Sequence, residues 1–553
     1  MIDQYRSNLE NFLYWAEHRP EAVYLKQPVG KQYQDFTYQE VASQISKIAN
    51  YLRQTLDDQL PNHVGILSKN CAHWIMADLA IAAAGAVSVP FYPTLTADQL
   101  NQVLVHSDCQ ILFVGKLDHW ESIRSGIPSN ITLIFTPEHQ SPISESHWTS
   151  IEAQYEPIDS FHQADARELS TIIYTSGTTG SPKGVMLHHE GIIHVINIAK
   201  EAALLQQPNN RFISYLPLSH IAERNFVEFA GTASGGTIYF VETLESFKDN
   251  LVACRPTHFL AVPRIWAKFR EGILQKIGGQ QRLQLLLSIP LLSHFIKKKI
   301  KKGLGLDQTK MNVTGAAPMP TELLQWFQKI GLTIQEAYGM TENMGFNTLM
   351  PRDQIRLGTV GKPWPTCEVK LDPESHELLM KAPYITSGYY KEPTLTQELF
   401  DGTWLKTGDM AELDSDGFIS IIGRVKDNFK TSKGQYVAPA PIENMILSHE
   451  WIEQACVVGT NLPQPIALII LNEEGKKADK NSLELALDGI KSSLKPHFKK
   501  YEHLSKMVIL KEDWTIENNC ITPTLKIRRQ AIEKKFQDKI EAWNQHPASI
   551  LFE

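Results

Sequence analysis

The chain has 553 residues, 42% hydrophobic and 21% charged, which supplies a real core and rules out wholesale disorder. Its 54 Lys and Arg against 61 Asp and Glu leave a net charge of −7, which argues against a general nucleic-acid binder. Six cysteines (Cys71, Cys109, Cys254, Cys367, Cys456 and Cys520) stand far apart with no CxxC pair. That is neither a disulfide framework nor a zinc-site spacing, and it fits a reducing compartment.

The opening stretch, MIDQYRSNLENFLYWAEHRP, is charged throughout and lacks the basic-then-apolar order of a signal peptide. Trp74–Tyr92 is the best candidate for a bilayer span, yet Asp78 interrupts it and Pro90 and Pro93 close it. A span needs about 20 mostly apolar residues, so a buried helix, turn and strand are expected, in a cytoplasmic protein. Ala/Leu-rich helical patterns alternate with β-branched runs at His63–Leu67, Ile111–Val114, Ile131–Phe135, Thr171–Thr175, Thr237–Val241 and Thr333–Tyr338. That alternation predicts an α/β fold of βαβ units around mostly parallel sheets. Leu283–Ile296 is largely apolar, broken by Ser288 and Pro290, and runs into Lys297-Lys-Lys-Ile-Lys-Lys302. The favoured expectation is an insertion packed on the N-terminal part beneath a solvated lysine cap; peripheral contact of 283–302 with an anionic membrane at its inner surface is the other.

Past residue 360 the segments shorten and alternate, at Glu368–Leu371, Glu377–Lys381 and Gly417–Gly423. The turn-rich Asp414-Ser-Asp-Gly-Phe418 predicts a β-hairpin. After Gly423 helix and strand return, ending in a Lys/Glu-rich helix at about 525–544. The change of texture places a boundary near 424–428, with some 125 residues beyond it. Length alone allows about three or four domain-sized units.

The most informative segment is Thr171-Ile-Ile-Tyr-Thr-Ser-Gly-Thr-Thr-Gly-Ser-Pro-Lys-Gly184. A β-branched strand enters a loop of hydroxyl side chains, glycines and a lysine. Glycines let backbone N–H groups approach an anion, hydroxyls donate to phosphate oxygens, and Lys183 neutralises charge. Counted from Gly177, a Walker A loop needs glycine where Pro182 stands, so this is another kind of phosphate cradle. A flexible surface loop is the bland alternative; the preceding strand and the compact Pro-Lys-Gly exit argue against it.

Tyr174–Gly184 resembles the phosphate-binding signature of the AMP-forming adenylating enzymes, the superfamily of acyl- and aryl-CoA synthetases, peptide-synthetase adenylation domains and firefly luciferase. Further matches follow in the family's order. Gly315-Ala-Ala-Pro318 resembles the adenine-site turn, and Tyr338-Gly-Met-Thr-Glu342 the second adenine and metal motif. Trp404-Leu-Lys-Thr-Gly-Asp409 resembles the ribose segment, Gly423-Arg-Val-Lys-Asp427 the hinge, and Thr522-Pro-Thr-Leu-Lys526 the catalytic-lysine segment. Tyr215-Leu-Pro-Leu-Ser-His-Ile-Ala-Glu-Arg224, Val262-Pro-Arg-Ile-Trp266 and Tyr436-Val-Ala-Pro439 are most similar to the long-chain fatty acyl-CoA synthetases.

The resemblance implies a large N-terminal domain (1–423) of mostly parallel sheets flanked by helices with a small β-barrel-like subdomain. A hinge (424–428) and a small mobile α+β C-terminal domain (429–553) complete it. It assigns the ATP phosphates to Thr175, Ser176, Gly177, Thr178, Thr179, Gly180 and Lys183. Gly315, Ala316, Ala317, Pro318, Tyr338, Gly339 and Met340 line the nucleotide site, with Thr341 donating to the α-phosphate. Glu342 is the expected ligand of Mg²⁺, a hard cation that prefers oxygen. Asp409 and Arg424 are expected at the ribose, and Lys526 between the carboxylate and the α-phosphate, where a mobile point charge suits the reaction. His220 and Gly339 are expected near the acyl carboxylate. Trp266 is either a gate of the fatty-acyl tunnel or a core aromatic. Lys426 is the implied pivot, and Lys430 and Gln435 the implied contacts to AMP or the acyl-adenylate; Lys433 stands where many relatives have glycine.

The implied reaction is an AMP-forming fatty acid–CoA ligation: ATP and a medium- or long-chain acid give acyl-AMP and pyrophosphate, then acyl-CoA and AMP. An acyl carrier protein in place of CoA, a luciferase-like oxygenation, and an inactive lipid-binding protein on this fold are the alternatives. The intact Lys183, Glu342, Asp409, Arg424 and Lys526 argue against the last.

Overall fold

The computed structural model describes residues 6–30, 32–56, 62–139, 147–176, 182–206, 209–345, 347–515, 518–522 and 527–553. Its largest sheet has six strands in the order Thr132–Phe135, Cys109–Val114, His63–Leu67, Val87–Phe91, Leu169–Ser176 and Pro182–His188. All neighbours are parallel except the last pair, which is antiparallel. His63–Leu67 and Val87–Phe91 are buried along their whole length, as expected of parallel strands covered on both faces. The stretch read as helix, turn and strand folds as the buried helix Ala72–Ala84, the left-handed Gly85, and the strand Val87–Phe91. Among the described residues no helix is long and apolar enough to cross a membrane.

A second sheet orders Gln32–Thr37, Val23–Val29, Thr237–Phe240 and Arg211–Ser214. A third runs His258–Ala261, Met311–Thr314, Gln335–Tyr338, Thr348–Leu349 and Lys362–Pro363. Between the first two strands of this third sheet come the helices Pro263–Ile277, Gln280–Ser288 and Pro290–Leu304. The short alternating segments after residue 360 form a five-stranded antiparallel sheet, with Trp404–Leu413 paired to Glu377–Lys381, Phe400–Asp401 and Ile419–Arg424. Its last turn is the expected one: Asp414 N–H donates to Phe418 O at 3.0 Å, and Gly417 takes φ 84°. Both features suit a tight hairpin turn.

The apolar interior separates along the chain. Four buried clusters draw only on residues up to Ile421, and two draw only on residues from Phe429 onward. The later clusters wrap a sheet of Ile452–Val458, Ile466–Leu471, Lys506–Ile509 and Ile550–Phe552. The helices Pro439–Ile446, Lys480–Leu494 and Arg529–Gln545 cover it. Arg264, at the start of Pro263–Ile277, makes an ion pair with Glu453 across the two parts.

Candidate active site

A cleft of about 2780 Å³ lies between these two parts, several times the volume of an ordinary small-molecule pocket. Thr175, Lys183, His220, Gly315 to Pro318, Tyr338 to Glu342, Asp409, Arg424 and Lys426 all line it. The antiparallel pairing of Leu169–Ser176 with Pro182–His188 sets Thr175 opposite Lys183 and Ser176 opposite Pro182. Gly177, Thr178, Thr179 and Gly180 lie outside the described residues, as does Lys526. The neighbours of Lys526, Thr522 and Ile527, line the cleft.

Two groups of side chains face this space. In the first, Glu342 sits buried in a short turn, Thr341–Asn343, closed by Asn343 Oδ1 accepting from Met340 N–H at 2.8 Å. Tyr389 donates its hydroxyl to Glu342 Oε1 at 2.7 Å, and Thr386 N–H donates to the Glu342 carbonyl at 2.7 Å. Lys183 Nζ stands 5.0 Å from the centre of the Tyr389 ring, within cation–π range.

In the second group, Asp409 and Arg424 are register partners on adjacent strands. Arg424 Nε lies 3.1 Å from Asp409 Oδ1, and Tyr338 donates its hydroxyl to Asp409 Oδ2 at 2.6 Å. The Asp409 carboxylate holds the Arg424 guanidinium above its ordinary range. Burial, and then the same carboxylate, push the Tyr338 hydroxyl well above the usual tyrosine range, so it stays a donor. The Gly315–Pro318 segment meets the strand Gln335–Tyr338 closely: a Cβ at Gly315 would lie 3.0 Å from Ala337 O. Ala316 follows with φ 64°, a left-handed backbone.

The remaining expected residues fall in different places. His220 caps the short helix Ile221–Glu223, its Nδ1 accepting from Ala222 N–H at 3.2 Å. Lys426 sits in the turn Val425–Asp427. Lys430 is exposed, 5.7 Å over the Tyr436 ring, and is not part of the cleft lining. Gln435 is likewise exposed outside it. Trp266 is fully buried against the rings of Phe259, Phe269 and Phe327, while its neighbours Ile265 and Ala267 reach the cleft. Its surroundings are those of a core aromatic.

Three further residues, to which no role is assigned from sequence, shape the site. Tyr389, which donates to Glu342, follows Ser387-Gly388 in a stretch that carries no motif signal. Asn70 fixes the loop before His220: its Nδ2 donates to Ser214 Oγ at 2.8 Å and Leu216 O at 2.6 Å, and its Oδ1 accepts from Leu218 N–H at 3.2 Å. Glu223 braces the same loop by accepting from Tyr215 N–H at 2.8 Å. Next to it the fully buried Arg224 bridges Asp78 at 2.6 Å and Glu228 at 2.9 Å.

Among the described residues no group of three or more His, Cys, Asp and Glu side chains could cage a metal. The hard carboxylate of Glu342 lines the cleft that Lys183 and Arg424 also line. That donor set suits Mg²⁺ arriving with a phosphate-bearing substrate, because Mg²⁺ keeps waters and needs only one or two carboxylates plus phosphate oxygens.

Comparison with known proteins agrees with this arrangement. The AMP-binding enzyme family matches residues 12–390, and the AMP-binding enzyme C-terminal domain matches 426–546. A long-chain-fatty-acid–CoA ligase of Mycobacterium bovis is 30% identical over 95% of this chain and 94% of its own. The peroxisomal long chain acyl-CoA synthetase 7 of Arabidopsis thaliana is 29% identical over 96% of this chain and 85% of its own. In fold, the A-PCP didomain of carboxylic acid reductase from Segniliparus rugosus, solved with AMP, superposes with a TM-score of 0.81 at 19% identity. That match covers 98% of this chain and 82% of the other. With matching sequence along both parts and one shared cleft, the chain belongs to the AMP-binding enzyme family.

Proposed function

We propose that this protein is an AMP-forming acyl-CoA ligase for medium- to long-chain fatty acids. In the first step a carboxylate oxygen of the acid attacks the α-phosphorus of ATP, giving acyl-AMP and releasing pyrophosphate. In the second the CoA sulfur attacks the acyl carbonyl, AMP leaves, and the thiol proton is released. The observation that carries this reading is the convergence of Lys183–Tyr389–Glu342 and Tyr338–Asp409–Arg424 on one cleft. The curated relatives, aligned over nearly the whole chain, supply the acyl substrate and CoA.

The residues fit the charge problem of the first step, in which two anions must meet. Thr175 and Lys183, with the 176–180 stretch, take the β- and γ-phosphates, and Thr341 donates to the α-phosphate; Glu342 would hold Mg²⁺, which would offset the phosphate charge. Asp409 accepts from the ribose hydroxyls while Arg424 supports the same ring. Lys526 bridges the acid and the α-phosphate. His220 and Gly339 border the reacting carboxylate. For the second step the part beyond the 424–428 hinge rotates about Lys426, withdrawing Lys526 and admitting CoA; hinges are a few terminal positions that absorb the backbone change.

The test is pyrophosphate release. Lys526→Ala abolishes fatty-acid-dependent release while circular dichroism stays that of the parent. Undiminished release in this variant overturns the assignment. A panel of acids followed by mass spectrometry of acyl-AMP and acyl-CoA fixes the chain length and separates CoA from a carrier-protein acceptor.

A further inference from the structure

The helical hairpin Gln280–Ser288 and Pro290–Leu304 has two faces with different fates. Inward, Leu283, Leu287, Ile296 and Ile300 join the cluster that contains Trp266. Outward, Leu285, Ile289, Leu291 and Phe295 are 65%, 48%, 91% and 61% exposed. These four side chains flank the turn at Ser288-Ile289-Pro290, so the hairpin carries an apolar tip. Apolar side chains scattered singly over a surface need no explanation, but a contiguous set does.

From that tip the exposed residues of the second helix recur at Leu291, His294, Phe295, Lys298, Lys299 and Lys302. Spacings of three and four keep them on one stripe. The stripe is apolar at the tip and cationic toward the body. At 1.5 Å of rise per residue, Lys298 to Lys302 stand about 5 to 10 Å further along the axis than Phe295. Between Glu271 and Asp307 the sequence holds no carboxylate, yet Lys276, Arg282, Lys297, Lys298, Lys299, Lys301 and Lys302 fall there, in a chain of net charge −7. A solvated lysine cap accounts for the cations and leaves the apolar tip unexplained. A second copy of the chain would bring two lysine stripes together.

We propose that this hairpin docks on the surface of an anionic lipid bilayer, its tip in the headgroup–acyl boundary and its lysine stripe at the lipid phosphates. The depth matches: interfacial helices bury their apolar face about 5 to 10 Å into that boundary, and juxtaposed lysines add attraction to anionic headgroups. The consequence for the site is proximity. The hairpin packs on Pro263–Ile277, whose Ile265, Ala267 and Arg270 line the cleft, so docking holds the cleft one helix layer from the lipid.

The test is co-sedimentation of the full chain with vesicles, without ATP or fatty acid, so that its outcome is independent of the proposed catalysis. The vesicles are phosphatidylcholine alone, or phosphatidylcholine with one third phosphatidylglycerol. The parent sediments with the anionic vesicles at least about tenfold more than with the neutral ones. L291D/F295D and K298E/K299E/K302E each lose that binding while keeping the parent's thermal midpoint, because every substituted side chain is exposed. L291S/F295S serves as a milder tip variant with the same expected loss. Absence of binding to anionic vesicles, or parental binding by both the tip and the stripe variants, overturns the proposal. Self-association of the parent that L291D/F295D abolishes also overturns it, since the tip is then covered by a second copy.

Discussion

Tyr389 donates its hydroxyl to Oε1 of Glu342 at 2.7 Å, joining two segments 47 residues apart. Burial and then the Glu342 carboxylate push the tyrosine hydroxyl far above its ordinary range, so it remains a donor at every working pH. The bond fixes one oxygen of the carboxylate and leaves the orientation of the other determined. In the proposed site, where Glu342 is the Mg²⁺ ligand, Tyr389→Phe raises the Mg²⁺ concentration for half-maximal pyrophosphate release on the order of 10-fold, the usual effect of removing a partner that orients a metal ligand. A magnesium titration checks this; an unchanged midpoint refutes the orienting role.

Asp409 is held from both sides, by Tyr338 and by Arg424. A hydrogen bond to a charged group is worth about 1.5–3 kcal/mol, so Asp409→Asn raises KM for ATP by roughly 10- to 100-fold. Because the lost acceptor faces the ribose in the proposed site, the variant also loses discrimination between ATP and 2′-deoxy-ATP. Steady-state kinetics with both nucleotides measures the two effects together. Retained discrimination would move Asp409 out of that role.

The Glu223 carboxyl is pushed up from its ordinary 4.5 to about 8 by burial, against the pull of the Tyr215 N–H. Between those two values the folded chain keeps a proton that the unfolded chain releases, so the unfolded state binds fewer protons and stability falls as pH rises. The contribution is complete below the unfolded value and is lost as pH climbs through the folded one. Glu223→Gln keeps the acceptor for Tyr215 and does not titrate. Its thermal midpoint therefore gains on the parent as pH rises across that window, and the difference levels off above it. A difference that is flat with pH shows that Glu223 is ionised in the folded protein.

Trp266 fills the centre of an aromatic cluster with Phe259, Phe269 and Phe327 at ring-centre distances of 5.3, 5.8 and 5.1 Å. Truncation to alanine leaves a cavity there, and removal of a buried large aromatic costs about 3–5 kcal/mol. Urea unfolding of Trp266→Ala reads that loss directly. A loss below about 1 kcal/mol, with an altered preference for acid chain length, would assign the ring to the acyl tunnel instead.

The order of strands and helices was legible because the periods of 2 and 3.6 are local. The cleft residues were legible because each motif is one short continuous segment of the chain. What escaped was pairing at a distance. Asp78 reads in the sequence as an interruption of an apolar run, and in the structure it accepts from Ser88 and Arg224, 146 residues apart from the latter. Nothing local distinguishes a buried, partnered carboxylate from a solvated one. Asn70 is similar: a lone amide in a loop carries no signal until three atoms of another loop surround it. Trp266 was ambiguous for a geometric reason. Adjacent helix positions point about 100° apart, so Ile265 and Ala267 face the cleft while the tryptophan between them faces the core.

The antiparallel pairing that sets Thr175 against Lys183 also governs which changes of length this region accepts. One residue added between Pro182 and Lys183 slides the register of the strand beyond it by one, and a slip of one turns every side chain to the opposite face. Lys183 would then occupy the place of Gly184, where even a methyl group meets Ile172 Cγ2 at 2.8 Å. The cation would leave the cleft and collide with the sheet in the same movement. Variation among natural or engineered versions of this hairpin should accordingly change which residues stand in the strands and preserve how many there are.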